Sequence, residues 1–253
     1  MQPYLIPNLK NACRVLKHLA QEPQGETMRP LSETLEIPRT TLLRILTTLE
    51  SEGLVGRKEK NYVLGNQLIH LGLRAMDNLE LKEVARPILR ELSEITRETS
   101  HLAVLSGQKT LIVDVYTSPN PVSATSQPGS LAAVHCSSTG KVFLAYLLRD
   151  QVEDHFEFPL EARTGKTITT AAALKRDIEQ TLKQGYGLDD EEYNPGVRCL
   201  AAPVRNAYGE VIAAIGITGG TASFTAKKVP SVAAHVIQSA ENISRLLGVP
   251  RAG

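Results

Sequence analysis

The chain has few cysteines, and their placement argues against the structural uses that cysteine commonly has. Among 253 residues there are three, Cys13, Cys136 and Cys199. Because they are odd in number and far apart in the sequence, neither a disulfide framework nor a zinc site is indicated. Cys13 falls on the apolar face of the first predicted helix, where a small thiol is expected to lie in the core.

Long apolar runs are also missing from the sequence. No stretch approaches the roughly 18 consecutive apolar residues that predict a membrane span. The N-terminus MQPYLIPNLK lacks the charged and then apolar layout of a signal peptide, so a cytoplasmic location is expected. No membrane partner, cofactor or metal site is predicted. Hydrophobic residues make up 42% of the chain, which at this length suffices for the cores of one or two domains.

Residues 28–65 carry the pattern of a winged helix-turn-helix. A short helix with apolar Leu31 and Leu35 precedes a turn at residues 37–38 and a second helix that ends at Gly53. The second helix has apolar residues at helical spacing, namely Leu42, Leu43, Ile45, Leu46 and Leu49. N-terminal residues of such a recognition helix meet base edges in the major groove of DNA. The residues predicted to do so are Arg39, Thr40, Thr41 and Arg44.

The segment after this helix predicts the wing. Two short β-prone runs, residues 54–57 and 61–64, flank the basic tip Lys58-Glu59-Lys60 of a hairpin. A basic wing reaches phosphates or an adjacent minor groove, and such contacts position a protein on DNA without reading its sequence. The residues predicted to make them are Arg57, Lys58 and Lys60.

The charge balance indicates that one copy of the chain holds DNA weakly. The formal net charge is +1, and within residues 1–65 nine Lys and Arg stand against seven Glu. This excess is too small to bind DNA through phosphate contacts alone. A homodimer doubles those contacts and lets two recognition helices engage a symmetric operator, so a dimer or a tetramer is expected.

Three units follow one another along the chain. We expect a winged helix-turn-helix DNA-binding domain at residues 1–65, a linker helix at 66–84 and an effector-binding domain at 85–253. The DNA-binding domain opens with an amphipathic helix at residues 8–21. Its residues predicted to face inward are Leu9, Ala12, Cys13, Leu16, Leu19 and Ala20. The helical pattern of the linker continues after an interruption at Pro87.

From Ser100 onward the pattern alternates between strands and helices. Residues 101–108 and 110–118 predict strands, a helix begins at Ser138, and another covers residues 173–185. Two further strands form a hairpin across residues 207–209, a long loop covers residues 118–130, and an amphipathic helix ends the chain. The predicted fold class is therefore α+β with an antiparallel sheet.

These segments resemble the IclR family of bacterial transcriptional regulators along nearly the whole chain. The resemblance is carried by IPRTTLLRILTTLESEGLV (37–55), YVLG (62–65), HCSSTGK (135–141) and GYGLDDEEYNPGVRCLAAPV (185–204) followed by VIAAIGITG. The last two segments are specific to the family, whereas many regulators share a winged helix. The resemblance implies a GAF-like C-terminal domain whose small organic effector changes DNA occupancy. Some members recognise small carboxylates such as glyoxylate or pyruvate, and others recognise aromatic acids.

Matching the chain to the family's pocket positions implies a set of effector contacts. These are Ser138, Thr139, Asp189, Cys199, Gly216 and Thr218. Backbone N–H groups near Thr139 would hold a carboxylate, while Asp189 would accept a hydrogen bond from an effector hydroxyl. In glyoxylate-type members the positions that match Gly216 and Thr218 both tend to be Ser. The missing side chain at Gly216 predicts room for a larger or less polar effector.

Two other functions stay open beside that of a DNA-binding regulator, which is not expected to be an enzyme. A small-acid hydrolase or lyase would use Asp189 and His135 as an acid/base pair, but no nucleophile elbow or cofactor fingerprint accompanies them. A redox sensor would act through Cys136 or Cys199. His135 and Cys136 are predicted on opposite faces of a strand, which prevents their pairing. Residues 189–192 are predicted to form a solvated acidic loop that binds no metal.

Overall fold

The computed structural model describes residues 5–77, 80–119, 126–152 and 156–248. The chain divides into two units, residues 1–79 and 80–253. In the described ranges no helix combines the length and the apolar composition that crossing a membrane requires. The boundary between the two units, after residue 79, falls within the predicted linker, residues 66–84.

The first unit is a winged helix-turn-helix, as predicted. Its elements are α1 (Pro7–Leu19), α2 (Met28–Leu35), α3 (Arg39–Ser51), β1 (Val55–Lys58), β2 (Asn61–Leu64) and α4 (Asn66–Asp77). Leu31, Leu42 and Leu46 are fully buried in one core cluster that holds α2 and α3 together. β1 and β2 pair antiparallel across the turn at residues 59–60. Gly53, with a φ of +67°, ends α3, and the backbone N–H of Leu54 donates to the Leu49 carbonyl at 2.9 Å.

The helix α1 buries a different face from the predicted one. Val15 and Leu19 are buried, and Ala12 and Leu16 pack partly against the same core. These four positions follow the i, i+3, i+4, i+7 spacing of one helical stripe. The predicted stripe omitted Val15 and instead included residues on the neighbouring side of the helix. Consequently the prediction of inward-facing residues is wrong for Leu9, Cys13 and Ala20, which are exposed.

The second unit is built on an antiparallel sheet, which confirms the predicted α+β class. Its elements are α5 (Glu80–Thr96), β3 (Thr99–Ser106), β4 (Lys109–Tyr116), β5 (Leu131–Ala133), α6 (Ser138–Phe143), α7 (Ala171–Gln184), β6 (Gly187–Asp190), β7 (Val197–Arg205), β8 (Val211–Gly220) and α8 (Val229–Leu246). The strand order across the described part of the sheet is β5-β4-β3-β8-β7-β6. Every neighbouring pair in this order is antiparallel.

The two faces of the sheet carry different helices. The Ser100 hydroxyl of β3 donates to the Leu89 carbonyl of α5 at 2.6 Å, which places α5 on one face. On the opposite face the hydroxyls of Thr110 on β4 and Thr139 on α6 are 3.0 Å apart. Side chains of adjacent strand residues alternate between these faces. The residues that share a face with Thr110 therefore point toward α6.

Two sequence expectations differ from the structure. α5 runs without a break from Glu80 to Thr96 with Pro87 inside it, so Pro87 does not interrupt the helix. Asp189 and Asp190 lie on strand β6 and pair with Cys199 and Arg198, so residues 189–190 are not part of a loop. This short strand was missed because GLDD lacks the β-branched and aromatic residues that predict strands. The predicted long loop, residues 118–130, lies partly outside the described residues.

Candidate functional site

A cavity of about 340 Å³ lies between the start of α6 and the facing side of the sheet. Asp189, Cys199 and Thr218 stand next to one another across β6, β7 and β8, because they are direct register partners. Their side chains line the cavity together with those of Ser138 and Thr139. Five of the six residues expected to contact an effector are thus brought together in one site.

The start of α6 can lie close to the turn that precedes it because residue 140 is a glycine. A Cβ atom at Gly140 would lie 2.3 Å from the Cα of Val134, so the helix could not sit where it does with a larger residue there. The Ser137 hydroxyl caps the helix by accepting from the Gly140 backbone N–H. The backbone N–H groups of Ser138 and Thr139 precede this capped group at the helix start. Both residues line the cavity.

Asp189 is the acidic group of the cavity, and its own backbone neighbours hold it in place. Its Oδ1 accepts hydrogen bonds from the backbone N–H groups of Glu192 at 2.8 Å and Tyr193 at 3.2 Å. Burial raises the pKa of the Asp189 carboxyl to about 6, although these hydrogen bonds act in the opposite direction. A carboxyl of this kind accepts from a ligand hydroxyl when ionised and donates to a ligand oxygen when protonated.

A buried lysine ties this site to α7. Lys141 is 1% exposed, and its Nζ lies 2.5 Å from Glu192 Oε1 and 3.1 Å from Asp177 Oδ1. Burial raises the pKa of Glu192 to about 7, while the charge of Lys141 lowers it. The backbone N–H of Glu192 also donates to Asp189. Glu192 therefore connects the carboxyl group in the cavity to the buried ion pairs of Lys141. Sequence analysis missed this network because α6, α7 and the segment after β6 are distant in sequence.

His101 lines the cavity and was not predicted to do so. It is the register partner of Gly216, and its imidazole covers the glycine. A Cβ atom at Gly216 would lie 2.9 Å from His101 Nε2 and 2.6 Å from the Leu200 carbonyl oxygen. The predicted room at Gly216 is therefore filled by the imidazole and is not left for an effector. Burial lowers the pKa of His101 to about 4, so the ring is neutral at physiological pH.

The structure does not assemble the acid/base pair of the enzymatic alternative. His135 and Cys136 lie in the turn before α6, and not on a strand as expected. His135 Nε2 lies 3.0 Å from the Glu161 carbonyl oxygen, and His135 is absent from the described residues that line the cavity with Asp189. The distance between His135 and Asp189 was not predictable, because the sequence pattern did not locate the turn before α6.

The cysteine chemistry of the redox alternative is also disfavoured. Burial raises the pKa of the Cys136 thiol to about 12, and it raises that of Cys199 well above its ordinary value. The thiolate is the form of cysteine that reacts with oxidants. Both the buried Cys136 thiol and the half-buried Cys199 thiol are therefore held in their unreactive form.

The residues predicted to contact DNA lie on α3 and on the hairpin of the first unit. Arg39, Thr40 and Arg44 are exposed on α3, whereas Thr41 is half-buried. Lys58 and Lys60 are exposed at the hairpin turn. This arrangement provides a polar helix face and a basic tip, the two features that a winged helix uses on DNA.

Arg57 has contacts within the first unit. Its Nε donates to Glu50 Oε1 at 3.0 Å, and its guanidinium lies 4.7 Å from the centroid of the Tyr62 ring. These contacts hold the hairpin against the end of α3. Arg57 therefore makes contacts within the first unit that the sequence pattern did not predict.

Comparison with known proteins identifies the same two parts. A model described as bacterial transcriptional regulator IclR C-terminal matches residues 73–245, and a model of the IclR helix-turn-helix domain matches residues 9–59. The HTH-type transcriptional regulator KdgR of Escherichia coli K12 is 32% identical over 98% of this chain and 95% of its own. The transcriptional repressor IclR of the same organism is 30% identical over 96% and 90%.

A solved structure shows the same fold. It is the crystal structure of an IclR homolog complexed with 4-hydroxybenzoate from Microbacterium hydrocarbonoxydans, with a TM-score of 0.81 at 24% identity. The match covers 95% of this chain and 98% of that one. The arrangement of a helix-turn-helix followed by a domain with a mixed helix and sheet core is common to both chains.

Proposed function

Because this chain belongs to the IclR family of bacterial transcriptional regulators, we propose that a small carboxylate-bearing organic acid binds in its cavity and controls its occupancy on operator DNA. The observation that carries this proposal is the convergence of five expected effector contacts on one cavity of about 340 Å³. Ligand sites are typically concave and largely preformed, with a few polar groups that fix orientation. This cavity has apolar walls at Ile112, Leu131 and Val197 around its polar groups.

The polar groups of the cavity divide into two ends. At the start of α6 the backbone N–H groups and hydroxyls of Ser138 and Thr139 offer donors to a carboxylate. Across the cavity Asp189, Cys199 and Thr218 offer an acceptor and weaker donors to a hydroxyl or carbonyl group. The effector is thus an acid with a second polar group. A neutral His101 adjoins this second end, since its Nδ1 lies 3.5 Å from the Thr218 hydroxyl.

We propose that the first unit reads a symmetric operator as part of a dimer or a tetramer. Arg39, Thr40, Thr41 and Arg44 contact bases, while Arg57, Lys58 and Lys60 contact phosphates. The small excess of positive charge in residues 1–65 supports an assembly with more than one DNA-binding unit. Exposed apolar side chains on this unit are available to such an assembly, among them Leu5, Ile6, Leu9 and Ile69.

Replacement of Asp189 by asparagine is expected to abolish most of the effector response with little effect on folding. Asparagine keeps an oxygen for the backbone N–H groups of Glu192 and Tyr193, but turns the other position from an acceptor into a donor. An unmatched polar group in a buried site costs about 1–3 kcal/mol, which corresponds to about a 5- to 150-fold loss of affinity. Thermal-shift measurements against glyoxylate, pyruvate and 4-hydroxybenzoate, followed by calorimetric titration, measure this loss.

The matched control is Asp150→Asn, because Asp150 carries a carboxylate that is 86% exposed. This variant should bind acids as the unaltered protein does. A ligand that binds only the folded state raises the melting temperature, by an amount that grows with its concentration. Unchanged affinity for every acid in the Asp189→Asn variant would place the effector outside this cavity and overturn the assignment.

A further inference from the structure

Arg163 brings a positive charge to the cavity that the sequence pattern did not reveal. Among the described residues that line the cavity, it is the one cation, and Asp189 is the one carboxylate. Arg163 lines the same cavity as Ser138 and Thr139, so the guanidinium shares the site with the start of α6.

The guanidinium of Arg163 is held by Tyr193. Its central carbon lies 3.9 Å from the centroid of the Tyr193 ring, and its Nε donates to the Tyr193 carbonyl at 3.3 Å. A planar guanidinium stacked on an aromatic ring keeps its outer N–H groups in a fixed plane. No described residue accepts a hydrogen bond from the two terminal nitrogens of Arg163.

The backbone that carries Arg163 is also fixed. Its N–H donates to the Thr167 hydroxyl at 3.0 Å, and that hydroxyl donates to the Glu192 carbonyl at 2.7 Å. The Thr164 hydroxyl donates to the Glu191 carbonyl at 2.7 Å. These bonds attach the Arg163 segment to the residues that surround Asp189. The cation is exposed to solvent but has a defined position at the edge of the cavity.

We propose that Arg163 binds the effector carboxylate and thereby fixes the direction in which the effector lies in the cavity. This inference rests on the proposed function. A carboxylate matches the paired N–H groups of a guanidinium, and it is repelled by the carboxylate of Asp189. The acid group therefore lies between Arg163 and the start of α6. The second polar group of the effector lies at Asp189 and His101.

The orientation predicts which compounds bind. The effector class is an acid that carries a second hydrogen-bonding group besides its carboxylate, as in a 2-oxo acid or a hydroxy-substituted aromatic acid. The corresponding primary amides have nearly the same shape but no charge. Unaltered protein should therefore prefer each acid over its amide, and Arg163 should be the source of this preference.

The experiment compares acid and amide pairs by calorimetric titration. The pairs are glyoxylate and glyoxylamide, pyruvate and pyruvamide, and 4-hydroxybenzoate and 4-hydroxybenzamide. In Arg163→Gln the preference for the acid should fall about 10-fold, the scale of one charge-assisted hydrogen-bonded pair at a partly exposed site. Arg163→Lys should retain part of it, because the charge remains while the paired geometry is lost. Arg149→Gln, which alters another exposed arginine, should leave it unchanged.

The outcomes distinguish a failure of this inference from a failure of the proposed function. If acids bind the unaltered protein and Arg163→Gln keeps the full preference for them, this inference is wrong while the proposed function stands. If no acid binds the unaltered protein, the proposed function and this inference both fail. The melting temperature of Arg163→Gln without ligand serves as the folding control, and the Arg163→Lys variant carries the test if glutamine unfolds the protein.

Discussion

Replacement of Lys141 by methionine is expected to lower the free energy of unfolding of the second unit by about 3–5 kcal/mol. Methionine has a similar length and fills the space, but it leaves Glu192 and Asp177 without their cation. Both carboxylates already have one oxygen with no hydrogen-bond partner among the described residues. Uncompensated charges in such surroundings are more costly than the loss of a hydrophobic contact. Urea unfolding followed by circular dichroism measures the change.

The loss should depend on pH. Burial raises the pKa of Glu192 to about 7 and that of Asp189 to about 6. A carboxyl whose pKa is raised by folding contributes stability that is present below its unfolded pKa and is lost as the pH rises through the folded value. Without Lys141 the pKa of Glu192 rises further. The Lys141→Met variant should therefore be closer to the unaltered protein at pH 5 than at pH 8.

Lys166 provides the matched control. It also pairs with a carboxylate, at 2.6 Å from Glu191 Oε1, but its side chain is 55% exposed. Lys166→Met should cost much less stability than Lys141→Met, because exposed ion pairs contribute little. Adding Glu192→Gln to Lys141→Met should restore part of the lost stability. Equal losses for the two lysine variants would show that the Lys141 network does not hold the second unit together.

Replacement of Arg44 by alanine is expected to weaken operator binding by about 1–3 kcal/mol, or about 5- to 150-fold, and to relax sequence preference. The reason is that an arginine on the exposed face of α3 can contact a base edge. Lys60→Ala should weaken binding to all sequences alike and reduce the salt dependence by about one phosphate contact. Fluorescence anisotropy with an operator selected from random DNA, and with random DNA itself, separates the two effects.

Arg149→Ala is the control for the DNA experiment, because it removes an exposed arginine from the second unit. It should leave both affinities unaltered. If Arg44→Ala and Lys60→Ala each lower affinity for operator and random DNA to the same extent, the division between base-reading and phosphate-binding residues would be incorrect.

Local patterns predicted most of the secondary structure, whereas packing against a neighbour decided the rest. The helix-turn-helix was predictable because Leu42, Leu46 and the turn at Ile37 occupy fixed spacings. The buried face of α1 was not, because two apolar stripes run along it and the core covers the one that contains Val15. Strand β6 escaped prediction because its pairing with β7, and not its composition, makes it a strand.

The site shows the same division between local and long-range information. Ser138, Asp189 and Thr218 could be predicted through family resemblance, and the structure brings them to one cavity, Asp189 and Thr218 by strand register and Ser138 at the start of α6. His101 and Arg163 could not, because their place in the cavity depends on strand pairing and on loop contacts between segments far apart in sequence. Gly216 illustrates the difference, because the imidazole of His101, which is distant in sequence, occupies the space beside this glycine.

Coupled titration tests most directly whether an acid in the cavity changes operator occupancy. The affinity of the acid is measured by calorimetry with and without operator DNA, and operator affinity is measured with and without the acid. If the two sites are coupled, the acid and the DNA must alter each other's affinity by the same factor. We expect equal factors of about 5- to 150-fold for the unaltered protein, the usual range of such coupling, and loss of the acid effect in Asp189→Asn. An acid that binds in the cavity while operator affinity stays constant would contradict the account.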